Sequence, residues 1–83
     1  MATLTNKNHE FSSLANKVEI NDDLLTVHLE DGRIISVPIT YFPKLLNASA
    51  EQRQHWRLIG KGQGICWEEI DEDLSVEGLL RVH

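Results

Sequence analysis

A short glycine-rich segment in the second half of the chain is the first candidate for chemistry: Gly60-Lys61-Gly62-Gln63-Gly64. Such loops hold phosphate groups when Gly-Lys is followed by Ser or Thr at the start of a helix, because free backbone amides and the helix dipole then face the anion. Here no Ser or Thr follows Lys61, and the flanking residues have the character of strands. The segment therefore predicts a hairpin turn and no nucleotide site.

A dense group of carboxylates follows, within ten residues of one another: Glu68, Glu69, Asp71, Glu72, Asp73 and Glu77. Carboxylate oxygens bind Mg²⁺ and Ca²⁺, but the spacing lacks the alternating acids, central glycine and terminal glutamate of a calcium loop. Two interpretations stay open. The acids either cap and flank a helix that begins after Ser75, or they form an acidic face for a protein partner. We expect no metal site.

The other reactive side chains are one cysteine and four histidines. Cys66 lies between Ile65 and Trp67 in a predicted strand, where burial raises the pKa of a thiol and makes it unreactive. No spacing typical of a zinc site relates the histidines, which are His9, His28, His55 and His83. A Gly-x-Ser-x-Gly motif is absent. The sequence therefore predicts neither an enzyme nor a cofactor.

Two tryptophans, Trp56 and Trp67, lie in segments that we expect to pair as strands. Large aromatic residues in a sheet are typical of a core, but tryptophan is also enriched among the residues that dominate protein interfaces. The sequence leaves open whether each tryptophan is core or interface, and we take Trp67 as a candidate partner contact.

The clearest elements are strands in the first half of the chain. Apolar and polar residues alternate on both sides of Asp31-Gly32, a pair typical of tight hairpins because the turn needs positive φ. A further short strand covers 18–20, before a run of turn residues. Residues 18–38 therefore predict a three-stranded antiparallel meander with one buried face, formed by Leu25, Val27, Ile35 and Val37.

Short helices and a second pair of strands are predicted for the rest of the chain. A short apolar helix covers 42–46, and Ser49 with Gln52 matches a capping box that opens a second helix over about 50–56. The remaining elements are a strand at 56–59, a strand at 65–67 and a short helix after Ser75. The predicted order is β-β-β-α-α-β-β-α, an α+β fold.

The chain has 83 residues, enough for one small core. We assign 17–83 to a single α+β domain and the mostly polar 1–16 to a poorly ordered or short helical N-terminal arm. No apolar stretch approaches the roughly 20 residues of a membrane span. A secreted domain of this size usually carries disulfides, so a single cysteine predicts a cytoplasmic protein.

The charges are unevenly distributed along the chain. The net charge is -5, which argues against sequence-independent binding to a nucleic-acid backbone. However, Arg53, Arg57 and Lys61 form a basic segment directly before the acidic group. If the protein contacts nucleic acid, these three residues are the expected site.

Several segments resemble family 2442 of domains of unknown function. The similar residues are 29–38, 42–46, 51–53, 56–57, 62–65, 67 and 70–80, and they extend over roughly 18–80. The resemblance implies a small bacterial α+β protein with no established catalytic residues. Some members are fused to a helix-turn-helix domain, which this chain lacks, and several are thought to be antitoxins of toxin–antitoxin pairs. Cys66 and Glu68 depart from the family pattern, which has His and Pro there.

Our leading hypothesis is a non-catalytic protein-binding module, most concretely the antitoxin partner of a small basic toxin. Its predicted contacts are Glu69, Glu72, Glu77 and Trp67. The alternative is a nucleic-acid-binding or regulatory protein that uses Arg53, Arg57 and Lys61, and a small enzyme of unknown type comes third. The identity of the partner and the formation of a homodimer stay open.

Overall fold

The computed structural model describes residues 13–81. Most of the predicted N-terminal arm, 1–12, lies outside the described residues. Within them, the chain forms two three-stranded antiparallel sheets and three short helices, which confirms the α+β class. No helix in this range has both the length and the apolar character needed to cross a bilayer.

The first sheet, which we call the N-terminal sheet, contains three strands in sequential order: β1 (Ala15–Ile20), β2 (Leu24–Leu29) and β3 (Ile34–Pro38). β1 begins three residues before the predicted strand, so Ala15 and Asn16 belong to the sheet and not to the arm. A register shift between Ala15 and Lys17 explains how Ala15 and Val18 both face the core.

The predicted register of this sheet is confirmed. Val27 lies opposite Ile35, and Leu25 lies opposite Val37. All four side chains are buried, while their neighbours along β3 are exposed. Gly32 has φ +95° in the turn between the strands, which is the conformation that the Asp31-Gly32 pair predicts.

Two short helices follow: α1 (Pro43–Leu46) and α2 (Ala50–Arg53). The predicted capping box at the start of α2 is confirmed, because Ser49 Oγ accepts the Gln52 N–H at 3.0 Å and Gln52 Oε1 accepts the Ser49 N–H at 3.0 Å. α2 ends three residues earlier than predicted. Beyond it, Gln54 Nε2 donates to the carbonyl of Ile20 at 2.9 Å and ties this corner to the N-terminal sheet.

The second sheet, the C-terminal sheet, also contains three strands in sequential order, and a helix follows it: β4 (Arg57–Ile59), β5 (Gly64–Trp67), β6 (Glu72–Ser75) and α3 (Val76–Arg81). β6 is absent from the predicted order, in which these acidic residues precede the last helix as caps. Asp71 has φ +54° and turns the chain back along β5. Leu74 then pairs with Ile65 on the core face.

One hydrophobic core joins the two sheets. The buried faces of both sheets contribute to it, together with Phe42, Leu45, Val76 and Leu79 from the helical segments. Because a single core spans both sheets, the register of each strand decides which of its charged side chains are left on the surface.

Candidate partner-binding surface

Trp67 is fully buried and is not available to a partner in this fold. Its side chain lies in the core, and its Nε1–H donates to the carbonyl of Arg53 at 2.9 Å. The prediction that Trp67 contacts a partner is therefore wrong: the residue is a core tryptophan whose one polar atom is satisfied. Trp56 is half-buried and packs against the same core.

Arg53 is also a structural residue. Its side chain is buried to 8% exposure, and it donates from Nε to the carbonyl of Leu45 at 2.9 Å and from Nη2 to that of Leu46 at 2.9 Å. The remaining nitrogen, Nη1, lies 2.7 Å from Asp22 Oδ1. The guanidinium thus binds two carbonyls at the end of α1 and links that helix to the turn between β1 and β2. All three nitrogens are engaged within the fold and the residue is buried, so its assignment to nucleic-acid binding is wrong.

Two side chains that precede the acidic group in the sequence, Arg57 and His55, pair with two of its carboxylates beside the C-terminal sheet. Arg57 Nη2 lies 2.9 Å from Glu68 Oε2, and His55 Nδ1 lies 2.6 Å from Glu69 Oε1. The hydrogen bond to Glu69 raises the pKa of His55, and the nearby Glu51 carboxylate adds to the effect. Both pairs are exposed, so each contributes little stability.

The three predicted acidic contacts therefore have different surroundings. Glu69 is paired with His55. Glu72 lies opposite Trp67 in the β5–β6 pairing, is half-buried, and its Oε1 accepts the N–H of Asp73 at 3.2 Å. Glu77 is exposed on α3. Only Glu72 and Glu77 keep their negative charge without a cationic neighbour among residues 13–81.

A surplus of negative charge remains after every ion pair in the described part of the chain is taken into account. Lys17, Arg33, Arg53 and Arg57 each pair with a carboxylate. Lys61, Lys44 and Arg81 have no carboxylate of the described residues within ion-pair distance, although Lys44 Nζ donates to the carbonyl of Asp71 at 2.7 Å. The carboxylates without a cationic partner among residues 13–81 are Asp23, Glu30, Glu51, Asp71, Glu72, Asp73 and Glu77.

A shallow groove lies on the outer face of the C-terminal sheet, the face turned away from the core. Its volume is about 430 Å³, and the lining residues are Ile59, Gly60, Gln63, Gly64, Asp73, Leu74 and Ser75. Gly64 forms the floor because it has no side chain. A Cβ at Gly64 would lie 3.0 Å from Ile59 Cγ1, so the groove depends on this glycine.

Cys66 and Asp73 lie side by side on the same outer face. They are direct partners in the β5–β6 pairing, and the half-exposed Cys66 donates its thiol proton to the Asp73 carboxylate. This hydrogen bond and burial raise the pKa of the Cys66 thiol, although the Arg57 guanidinium acts in the opposite direction. A thiol with a raised pKa is a poor nucleophile at neutral pH. Among residues 13–81, no three His, Cys, Asp or Glu side chains converge as a metal-ligand set.

The edges of the sheets are the feature that the sequence did not reveal. β6 pairs with β5 on one side and with no strand of the described residues on the other. Its residues, Glu72–Ser75, carry two of the unpaired carboxylates and reach the groove. The signal in the sequence was the single Leu74 between Asp73 and Ser75, which is too short an alternation to predict a strand.

Comparisons with known proteins identify the family and leave its function open. The profile of the family described as "Protein of unknown function (DUF2442)" matches residues 15–82. The chain is similar to a protein of unknown function from Rhodospirillum rubrum ATCC 11170, whose crystal structure has a TM-score of 0.72 and 32% sequence identity over 81% of this chain and 83% of that chain. No curated protein matches. The chain therefore belongs to the DUF2442 family of proteins of unknown function.

Proposed function

We propose that the protein is a non-catalytic cytoplasmic module that binds a small basic protein, most concretely as the antitoxin of a toxin–antitoxin pair. The observation that carries the proposal is the charge surplus: seven carboxylates in the described residues have no cationic partner, whereas most arginine side chains are already paired. A surface of this kind attracts a basic partner, accelerates the encounter and discriminates against acidic proteins.

The alternative of nucleic-acid binding is weaker than the sequence indicated. Of its three predicted contacts, Arg53 is buried and Arg57 is paired with Glu68, so only Lys61 is exposed without an ion-pair partner among residues 13–81. Binding to a phosphate backbone needs several such cations because its free energy comes from the release of many counterions. An enzymatic role has as little support, since the raised pKa of the Cys66 thiol removes the one candidate nucleophile.

The test is calorimetry between this protein and the product of the neighbouring gene. We expect binding that weakens as the salt concentration rises. The variant Glu69→Lys, Glu72→Lys, Glu77→Lys should bind more weakly by about tenfold or more, because it turns attraction into repulsion. Its matched control is Arg57→Glu, Lys61→Glu, which should bind at least as tightly as the unmodified protein. Arg53 is left unchanged because its replacement would act through stability.

Two outcomes would contradict the proposal. One is a neighbouring protein that does not bind at any salt concentration. The other is the reverse order of effects, in which the acidic variant binds normally and the Arg57 and Lys61 variant loses binding. A gel shift with DNA and RNA under the same conditions would then show whether the basic segment acts on nucleic acid.

A further inference from the structure

We propose that the partner docks as an extended basic segment along the free edge of β6, adds a fourth strand to the C-terminal sheet, and places a side chain in the groove above Gly64. The inference rests on the proposed function and specifies its site. Extended segments commonly bind exposed sheet edges in this way, with backbone hydrogen bonds for affinity and a pocket beside the strand for specificity.

Some backbone peptide groups of β6 point away from β5, where an added strand could bind them. Val76 N–H donates to the carbonyl of Gln63 at 2.9 Å, which makes these two residues a hydrogen-bonded pair. Hydrogen-bonded pairs alternate along antiparallel strands, so the peptide groups of Leu74 point toward β5. Both peptide groups of Asp73 and the N–H of Ser75 face the free edge, while the Ser75 carbonyl belongs to the first turn of α3. The Asp73 N–H has only a 3.2 Å contact with the neighbouring Glu72 carboxylate, which an incoming carbonyl would replace.

The other sheet edges are less suitable. On β3, Pro38 has no N–H to offer. The turn at Gly62 lies against the start of β1. A Cβ at Gly62 would be 2.8 Å from the Ala15 nitrogen. β4 is three residues long and carries Arg57, which would repel a basic segment. The edge of β6 is therefore the open edge with negative charge.

The groove supplies a place for a side chain beside this edge. Ser75 and Gly64 are direct partners in the β5–β6 pairing, and Ile59 pairs with Gly64 from the other side. These residues create a depression of about 430 Å³ whose wall toward the free edge consists of Asp73 and Ser75. The aliphatic part of a long side chain, such as lysine, on an added strand would lie over Ser75 and reach toward Gly64, with the Asp73 carboxylate at the rim.

Charge selects a basic occupant over the other candidates. Asp71, Glu72 and Asp73 surround the edge and have no cationic partner among the described residues, so lysine or arginine at alternate positions of an added strand would form cross-strand ion pairs. A second copy of this chain would bring the same three carboxylates to the contact, and like charges directly opposite one another are destabilising.

The experiment uses the full chain and a short synthetic peptide of alternating lysine and valine, followed by amide hydrogen exchange and NMR shifts. We expect the Asp73 and Ser75 amides to exchange rapidly in the free protein and to become protected when the peptide is added. The matched peptide in which every backbone nitrogen is methylated has the same charge but no backbone N–H with which to pair as a strand. It should bind about tenfold more weakly, or not at all. Equal binding of both peptides, or no binding of either, overturns the proposal.

Matched variants locate the site. Asp71→Asn, Glu72→Gln, Asp73→Asn should weaken peptide binding by about tenfold, while Asp23→Asn, Glu30→Gln, Glu51→Gln, which removes the same charge elsewhere, should change it much less. Equal effects of the two variants overturn the proposal.

Two further measurements separate other occupants. Slow exchange of the Asp73 and Ser75 amides in the free protein at every concentration means that the chain's own residues cover the edge. Protection that grows with concentration means that a second copy does. Either result overturns the proposal. A neighbouring gene product that binds but leaves both amides unprotected also overturns it while the proposed function stands, whereas a product that does not bind removes the proposed function itself.

Discussion

The N-terminal and C-terminal sheets have the same size and strand order but depend on different parts of the sequence. In β2 and β3, buried and exposed side chains alternate over five or six residues, and a four-residue connection that contains Gly32 joins the strands. In the C-terminal sheet the strands are three or four residues long, β5 begins with Gly64, and β6 contains two acidic residues. Its strands are therefore held by contacts with distant residues rather than by their own pattern.

Those distant contacts involve α1, α2 or the acidic segment. The Trp67 indole binds the carbonyl of Arg53, and Lys44 Nζ binds that of Asp71. They join residues 14 and 27 positions apart in the chain, so neither follows from a local pattern. The difference teaches that local alternation specifies one sheet directly, whereas the other depends on tertiary contacts.

The largest effect is expected from Val27→Asp in the N-terminal sheet. Val27 is 1% exposed, and an unpaired buried charge costs about 3 kcal/mol or more, a large part of the stability of a small domain. Because the core is shared, the variant should unfold both sheets together, measured by circular dichroism and by the NMR signal of the Trp67 indole. The control is Thr26→Asp on the outer face. A Trp67 signal that stays native while β2 unfolds would show that the sheets are independent.

The turns of the two sheets provide the next comparison. Gly62 and Gly32 both have positive φ, at +103° and +95°. Nothing lies within 4 Å of a Cβ at Gly32, whereas a Cβ at Gly62 would clash with the Ala15 backbone. Gly32→Ala should therefore cost about 1 kcal/mol of backbone strain, and Gly62→Ala about 2 kcal/mol more. Urea unfolding measures both, and equal costs would mean that β1 moves freely away from the Gly62 turn.

A smaller effect is expected from Trp67→Phe. The change leaves the Arg53 carbonyl without its donor in a buried position, which costs about 1 to 3 kcal/mol. Trp56→Phe is the control, because Trp56 is half-buried and its indole has no hydrogen-bond partner among residues 13–81. Thermal unfolding compares the two variants. Equal losses would indicate that the packing of the ring, and not its hydrogen bond, holds β5 against α2.

The smallest effects are pH-dependent and have opposite directions in the two sheets. The hydrogen bond from His55 to the Glu69 carboxylate raises the pKa of His55, so its contribution to stability is present below the ordinary histidine pKa and is lost as the pH rises through the folded value. The hydrogen bond from His28 lowers the pKa of Glu19, so that contribution is present above the ordinary glutamate pKa and is lost as the pH falls through the folded value.

The measurement is the free energy of unfolding across the pH range in each variant. His55→Gln should remove the decline on the neutral-to-alkaline side, and Glu19→Gln should remove the decline on the acid side. Both pairs are exposed, so the changes should be small and should shrink with added salt. A decline that survives in His55→Gln would have to come from another group.

The sequence predicted the fold class but not most of the candidate surface. The acidic segment and the basic segment were both recognised, but the ion pairs between them depend on the β4–β5 register and on the turn that follows β5. Arg53 looked like a surface cation because arginine usually is one. Its burial follows from the position of α2 against the end of α1, which no local pattern specifies.

The sequence by itself determined the features that neighbouring residues control. These are the turn at Asp31-Gly32, the alternating face that buries Val27, and the capping box between Ser49 and Gln52, and in each the interacting groups are close in the chain. The tertiary structure alone decided that β6 is a strand and that its outer edge pairs with no other strand of residues 13–81. The physical reason is that a short acidic segment has no strand preference of its own, and it becomes a strand only because β5 presents unpaired peptide groups and a core position for Leu74.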